Sequence, residues 1–440
     1  MPEPFSAGFV RGVNANRTLK DELTAAIQRQ STPRRISVTH LVNPRQAFFR
    51  WMHPEIQPSP DRAQVMMAGT GFHDAFGRTV STEEFVEQFV EYEGIVGKID
   101  IYDDVPVELK TTSSLPDLPT GARPGYIDQL GMYCTMTSRP KGRLLIYRRT
   151  QFGREPALRA FSVTFSNLTA LRDEMFRRRD LLRDALEKKD AGDLPQCEWF
   201  GRNCDYQAEC HCDVAPPLAR VVPQDAYHIE RDPALEAAFT ARLSGRIERP
   251  RGFRLNDLVF PRKSAYERRT PEEDDESDHQ VEARLRDMER QGFRGTLYNA
   301  LRYGFPGAFK NQPVKLRALN DRVGMFRDVP TLFRVTKFRE MVERNYLVQA
   351  MGHYFDRLVF ECALSGHEWG RLVLYYEILP GDKFMVYDVG LKDLPAIQRE
   401  ADRRLALLET EASPAELPAC PPWMSKFCRY KDRCGCGDAA

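Results

Sequence analysis

Asp100, Glu108 and Lys110 sit in one short segment, GKIDIYDDVPVELKTT (residues 97–112), whose pattern would bring them together. Lys98–Tyr102 alternates apolar and polar residues as a strand does, Asp103-Asp104 reads as a turn, and Val105–Lys110 reads as the returning strand. Residues two apart on a strand share a face, so Glu108 and Lys110 point the same way and Asp100 on the partner strand can lie beside them. Two carboxylates so placed suit a hard divalent cation, Mg²⁺ or Mn²⁺, which prefers oxygen ligands. Such a cation lowers the pKa of a bound water and shields charge developing at phosphorus. A lysine beside that water helps orient or deprotonate it and stabilises the transition state. The chemistry expected of the trio is phosphodiester hydrolysis, with Asp103 and Asp104 serving only as turn residues.

Asp100 followed by Glu108-Leu109-Lys110 resembles the D…ExK signature of PD-(D/E)XK nucleases. Two further elements resemble the RecB/Cas4-like branch: His73 on a predicted helix, GTGFHDAF, and a QxxxY motif at Gln129–Tyr133, QLGMY. The resemblance implies that His73, Asp100, Glu108 and the backbone carbonyl of Leu109 bind metal and that Lys110 is catalytic. It also implies that Gln129 and Tyr133 support the site and contact DNA. It covers most of residues 36–212 and, more weakly, 253–436. The implied fold is α/β: two tandem restriction-endonuclease-like domains, each a mixed sheet flanked by helices and closed by a C-terminal cysteine cluster.

The tandem arrangement is legible in the residues themselves. ISVTHLVNPRQAFFRW (Ile36–Trp51) matches FRLNDLVFPRKSAYER (Phe253–Arg268) through LVxPR and the helical stretch behind it. Gly69–His73 lines up with Gly295–Asn299, Asp104-Val105-Pro106 with Asp328-Val329-Pro330, Leu130–Tyr133 with Met351–Tyr354, and the β-type run Arg143–Tyr147 with Arg371–Tyr375. Each half ends in an amphipathic helix, Leu168–Lys189 and about Pro395–Glu411, followed by clustered cysteines. The matches keep one order roughly 220 residues apart, which is a domain duplication rather than a solenoid period. The expected layout is an extension (1–35), an active domain (36–213), a linker (214–250) where proline and charge increase, and a degenerate domain (251–440). In that second copy Asn299 falls opposite His73, Leu332-Phe333-Arg334 opposite Glu108–Lys110, and Ala350 opposite Gln129 with Gln349 adjacent, while Asp100 has no clear equivalent near Met325–Arg327. Without carboxylates no Mg²⁺ site forms there, so the second half is expected to be a pseudo-nuclease. The acidic run Glu272–Asp278 reads as a solvated loop.

Eight of the ten cysteines fall in two short segments, Cys197, Cys204, Cys210 and Cys212, then Cys420, Cys428, Cys434 and Cys436. Four thiolates in one region suit a tetrahedral zinc or an iron–sulfur cluster, and spacing does not decide between them. The family resemblance favours [4Fe–4S], with zinc as the alternative. Iron–sulfur members of that branch usually draw one ligand from an N-terminal cysteine, where this chain has Asn43 and Phe260. The expected role is a structural staple. Cys134 and Cys362 lie in apolar contexts and read as buried core residues.

Composition sets the outer limits. The 440-residue chain is 42% hydrophobic and 29% charged, with a net charge of only +1, so nucleic-acid binding would need a local basic groove. No apolar run is long enough to span a bilayer, and Met1–Arg35 has no signal-peptide pattern, which leads to the expectation of a cytoplasmic protein without a membrane partner. There is no GxxxxGK[ST] loop, so motor activity would come from a helicase or another recombination partner. The leading expectation is a single-strand- or end-directed DNA exonuclease for recombination, repair or phage-type processing. The alternatives are a Cas4-like trimming factor in CRISPR adaptation, with a CRISPR partner protein, and a DNA-binding or assembly subunit with a vestigial site.

Overall fold

A computed structural model of the chain describes residues 3–29, 33–81, 85–112, 115, 117–118, 124–149, 157–197, 204–217, 221–243, 252–269, 278–314, 316–421, 424, 428 and 430–434. The acidic run 272–277 and Cys436 lie outside the described residues. In chain order the elements are β1 (Val10–Ala15), α1 (Arg17–Gln28), β2 (Ile36–Ser37), α2 (Val38–Val42), α3 (Pro44–Met52), α4 (Pro60–Val80), β3 (Val86–Tyr92), β4 (Ile95–Tyr102), β5 (Pro106–Thr112), α5 (Pro124–Met136), β6 (Lys141–Arg148), β7 (Ala157–Phe165), α6 (Leu168–Lys188), α7 (Gln207–Cys210), β8 (Tyr227–Arg231) and α8 (Pro233–Leu243). There follow α9 (Leu255–Val259), α10 (Pro261–Arg269), α11 (Asp278–Gly304), β9 (Phe309–Pro313), β10 (Arg322–Phe326), β11 (Val329–Thr336), α12 (Leu347–Ala350), α13 (Gly352–Ser365), β12 (Trp369–Tyr376), β13 (Phe384–Leu391) and α14 (Leu394–Glu409). No described helix is long and apolar enough to cross a membrane.

The chain divides into two units. The first comprises residues 28–246 with 276–298, and the second 1–27 with 247–275 and 299–440. Each is built on a mixed sheet flanked by helices. The first sheet runs β2-β4-β5-β6-β7-β8 with β3 also on β4, and the second runs β1-β13-β12-β11-β10-β9. In both, an antiparallel hairpin (β4–β5, β10–β11) is followed by a parallel neighbour (β6, β12) and then an antiparallel strand (β7, β13). The parallel step requires a crossover, and a helix supplies it each time: α5 in the first unit, α13 in the second. One face of the first sheet packs Leu144, Ile146 and Ile99 against α2, α3, α5 and α6. The other packs Val107, Leu109 and Tyr147 against Phe72 and Phe76 of α4, Phe239 of α8, and Leu285 and Met288 of α11.

The sequence layout needs two corrections. Residues 227–243, expected as linker, form β8 and α8 and finish the first sheet, while residues 10–28, expected as an extension, form β1 and α1 and finish the second. The two pieces are equivalent bond for bond. Ser166 N–H donates to Ala226 O and Lys392 N–H to Phe9 O, both at 2.9 Å. Asp232 caps Leu235 N–H at 3.0 Å and accepts from Ser162 Oγ at 2.8 Å. Asn16 caps Leu19 N–H at 3.0 Å and donates to Asp388 at 2.9 Å. Each unit therefore takes this strand and helix from the stretch that precedes the other unit's LVxPR motif, and the two stretches keep the spacing of the other repeat matches. Periodicity did not reveal this because both are short, half-exposed edge strands with little apolar signal.

Candidate active site

The hairpin geometry creates the site. β4 and β5 pair only at Ile101↔Val107 and Tyr102↔Pro106. Beyond that point the Leu109 N–H is met by Asp100 Oδ2, at 2.8 Å, instead of by a strand carbonyl. The other Asp100 oxygen lies 3.1 Å from His73 Nδ1, presented by α4. Ser59 starts that helix by accepting from Arg62 N–H, with Pro60 in its first turn. Gly71 lets α4 cross α11 backbone to backbone: a Cβ there would fall on the carbonyl of Gly292. Glu108, 2% exposed, shares a strand face with Lys110, and Lys110 Nζ lies 2.5 Å from Glu108 Oε1.

The crossover helix holds the lysine from the other side. Gln129 Oε1 accepts from Lys110 Nζ at 2.8 Å, Gln129 Nε2 reaches Tyr133 Oη at 3.5 Å one turn on, and Tyr133 Oη donates to Lys98 O at 3.0 Å. Tyr133 fits there because residue 97 is glycine; a Cβ would collide with the phenol ring. All six side chains named from the sequence are thus brought together, and the Leu109 peptide is held against Asp100. Tyr126, which sequence reasoning passed over, adds its ring face 5.4 Å from Lys110 Nζ.

Electrostatics separates the two carboxylates. Burial opposes ionisation of Asp100, but His73, Lys110 and the Leu109 N–H hold its carboxyl below the ordinary range. Burial dominates at Glu108 and pushes it up to about 7, with the Asp100 charge adding and Lys110 opposing. Lys110 is raised: burial works against its charge, and the Glu108 and Asp100 carboxylates outweigh burial. Glu108 Oε2 is buried with no hydrogen-bond partner among the described residues, which leaves it free to accept a ligand, and Glu361 Oε2 of the second unit is in the same state. No three His, Cys, Asp or Glu side chains among the described residues form a ready-made metal cage. The donor set of one imidazole, two carboxylates and a peptide carbonyl, with that unpartnered oxygen, nevertheless fits a hard divalent cation.

The second unit lacks this set, and its equivalences differ partly from those read off the sequence. Glu108, Leu109 and Lys110 pair with Leu144, Leu145 and Ile146, and Leu332, Phe333 and Arg334 pair with Leu372, Val373 and Leu374, as aligned. Counting back across the hairpin places the buried Val323 opposite Leu332, in the position of Asp100, not a residue near Met325–Arg327. The Leu130–Tyr133/Met351–Tyr354 match is displaced by about two helical turns. Gly142 packs on Leu130 and Cys134, and Gly370 on Leu358 and Cys362. The following turns agree, with Arg139 N–H to Cys134 O and His367 N–H to Cys362 O, both 2.9 Å. Gln129 and Tyr133 therefore correspond to Arg357 and Glu361, not to Ala350 and Tyr354. Arg357 Nε lies 2.7 Å from Glu361 Oε1 and its guanidinium 3.8 Å from Asp321, so an ion-pair cluster occupies the second site. Cys134 and Cys362 are fully buried.

The cysteines of the first unit are neighbours. Cys197 N–H donates to Cys212 Sγ at 3.2 Å, and Gln46 approaches Cys204 Sγ at 3.9 Å. Burial, with Cys212 and Cys204 close by, pushes the Cys197 thiol up, and the same groups raise Cys210 after burial. Cys197 and Cys210 each lie near Cys204 and Cys212, but among the described residues no three cysteines form a group ready to hold a metal. In the second unit Cys420, Cys428 and Cys434 share a small core with Tyr430. Sequence reasoning missed what docks these segments. Arg45, from LVxPR and only 6% exposed, donates twice to Cys210 O and to Ala191 O and Leu194 O. Arg262 repeats the clamp on Cys434 O, Leu417 O and Ala415 O. The signal available was the arginine's recurrence in both LVxPR motifs.

No protein-family model matches the chain, and no curated protein matches it. Among solved structures, the crystal structure of SSO0001 is similar at 15% identity and a TM-score of 0.27, over 44% of this chain and 91% of that one. The crystal structure of LHK-Exo in complex with dAMP is similar at 15% identity and a TM-score of 0.20, over 39% of this chain and 91% of that one. Likeness this loose carries no weight for fold or chemistry.

Proposed function

We propose that the first unit is a metal-dependent DNA nuclease of the PD-(D/E)XK kind and the second its degenerate copy. The observation that carries this reading is the convergence of Asp100, Glu108 and Lys110 where β4 and β5 part, with Glu108 Oε2 unpartnered among them. His73, Asp100, Glu108 and the Leu109 carbonyl would hold Mg²⁺ or Mn²⁺, which when bound supplies an activated water and charge neutralisation at phosphorus. The chain's own residues do the rest. Asp100 is kept ionised and aimed by the Leu109 N–H, so it is an acceptor at neutral pH. Lys110, with three donors, orients the attacking water and takes part of the charge that builds on the phosphate oxygens. Gln129 holds the ammonium, and Tyr133 ties Gln129 and α5 to β4, so the lysine is positioned before substrate arrives.

Within this reading the substrate is DNA, as a single strand or an end, and the reaction exonucleolytic. The cysteine segments would hold [4Fe–4S] or zinc as staples. The test is cleavage of end-labelled single-stranded DNA, double-stranded DNA and RNA with Mg²⁺ or Mn²⁺, comparing wild type with Lys110→Ala. Cleavage that vanishes in the variant supports the assignment. Metal-loaded wild type that cuts none of the substrates would refute it and favour a binding or assembly subunit.

A further inference from the structure

Lys110 has two partners that a bound cation would treat differently. Its Nζ touches Glu108 Oε1 at 2.5 Å and Gln129 Oε1 at 2.8 Å, and it faces the Tyr126 ring at 5.4 Å. A divalent cation on Glu108 Oε2 would repel the ammonium held on Oε1 of the same carboxylate and weaken that contact. The ammonium then keeps Gln129 and needs a second attractive neighbour that will not itself capture the metal. A third carboxylate would capture it. A ring face attracts the ammonium through its quadrupole and offers the metal no ligand. Tyr126 lies one turn before Gln129 on α5.

The second unit preserves this pairing without the metal ligands. Tyr354 precedes Cys362 by as many residues as Tyr126 precedes Cys134, and its ring lies 5.9 Å from the Arg334 guanidinium, at the position of Lys110. A cation over this ring is therefore a feature of how the fold holds the position, independent of carboxylates on β4 and β5.

Resting on the nuclease reading, we propose that Tyr126 is a positioning residue: its ring face receives the Lys110 ammonium when a divalent cation takes Glu108, which lets metal binding and a correctly placed lysine coexist. The test titrates Mn²⁺ calorimetrically into wild type, Tyr126→Phe, Tyr126→Leu and Tyr126→Met, and follows cleavage of a single-stranded DNA by each, with thermal unfolding as the fold control. Tyr126→Phe keeps the ring and is expected to stay within about twofold of wild type in Mn²⁺ affinity and kcat. The two aliphatic variants are expected to lose roughly 3- to 30-fold in both, with KM little changed and the unfolding midpoint retained. Aliphatic variants that bind Mn²⁺ and cleave like wild type would overturn the proposal alone, as would a Phe variant that falls as far as Leu, which would assign the effect to the hydroxyl. Wild type that neither binds Mn²⁺ nor cleaves would remove the nuclease reading and this proposal with it.

Discussion

Glu108→Gln should make the metal-free protein more stable and blind to Mn²⁺. Glu108 is 2% exposed, with one oxygen on Lys110 and the other unpartnered. Burial lifts its carboxyl from 4.5 to about 7 in the folded state. A folded pKa above the unfolded one means that the folded state binds more protons between those values. Stability is then full below pH 4.5 and is lost as pH rises through 7. At about 1.4 kcal/mol per unit, the charge penalty at pH 8 is on the order of 3 kcal/mol with the Lys110 attraction already counted, a ceiling on the gain because removing the carboxylate leaves the buried ammonium with Asp100 alone. Glutamine removes the charge and keeps an acceptor for Lys110, but its amide inherits the unsatisfied position at a cost of about 1 kcal/mol. The net expectation is a gain of about 1–2 kcal/mol at pH 8 that disappears by pH 5. Urea unfolding of both proteins at the two pH values, with and without Mn²⁺, measures it. A variant less stable than wild type at pH 8, a difference independent of pH, or Mn²⁺ stabilising both proteins equally would refute the reasoning.

Arg45→Ala strands three buried carbonyls and should cost about 3–5 kcal/mol; loss of amide-exchange protection over residues 191–197 and 204–212 would report it, and Arg45→Lys should not rescue because one ammonium cannot span the fork. His40 accepts the Ser37 N–H on Nδ1, and burial with Arg50 lowers its pKa to about 4. The unfolded state therefore takes up its proton first, and about 1–2 kcal/mol of stability, discounted for partial exposure, is lost as pH falls from 6.5 to 4; His40→Gln should flatten that segment of the unfolding-versus-pH curve. Gly71→Ala drives a methyl into the Gly292 carbonyl and should cost about 1–3 kcal/mol in thermal unfolding, whereas Gly295→Ala, with open space around it, should be neutral or slightly stabilising. Restoring Val323→Asp and Leu332→Glu in the second unit should add no Mn²⁺ binding by calorimetry unless Arg357→Gln and Glu361→Tyr accompany them.

The site was readable because its logic is local. A strand, a turn and a strand fix Asp100, Glu108 and Lys110 relative to one another, and alternation with a period of two is enough to say so. His73, Gln129 and Tyr133 came from motif order; the first two each reach the trio through one hydrogen bond, and Tyr133 bonds to Gln129 behind it. What escaped notice depended on pairings distant in sequence. The register of α13 was misread because the shared Gly and Tyr of Leu130–Tyr133 and Met351–Tyr354 outweighed two buried cysteines, although packing against Gly142 and Gly370 decides the matter. The completion of each sheet by β8 and β1 was hidden by edge strands that bury little. Arg45 and Arg262 stood inside a recognised motif, but a basic side chain that satisfies buried carbonyls leaves no periodic trace. Arg178 and Arg404, which donate to Leu41 O and Leu258 O from matching places on α6 and α14, were missed for the same reason.

On the proposed nuclease reading, the second unit departs from the first at more than one group. In the first unit two carboxylates face one ammonium, and on the proposed reading that excess of acceptors is what would draw a divalent cation. In the second, aliphatic Val323 and Leu332 replace the carboxylates, and the remaining acids, Glu361 and Asp321, are engaged by Arg357. A cation arriving there would have to displace a guanidinium from a buried carboxylate, and breaking such a pair leaves a charge uncompensated. Arg334 stands where the first unit has Lys110 and Arg357 where it has Gln129, so guanidinium groups face the acids that remain. The scaffold survived because its supports lie elsewhere. The LVxPR arginine on the cysteine segment, the α6 or α14 arginine on the short helix α2 or α9, and the strand and helix that complete each sheet are common to both units, and none of them touches the candidate site. Fold and site are therefore separable in this chain: one set of interactions was retained twice, and the other was rewritten in one copy without disturbing it.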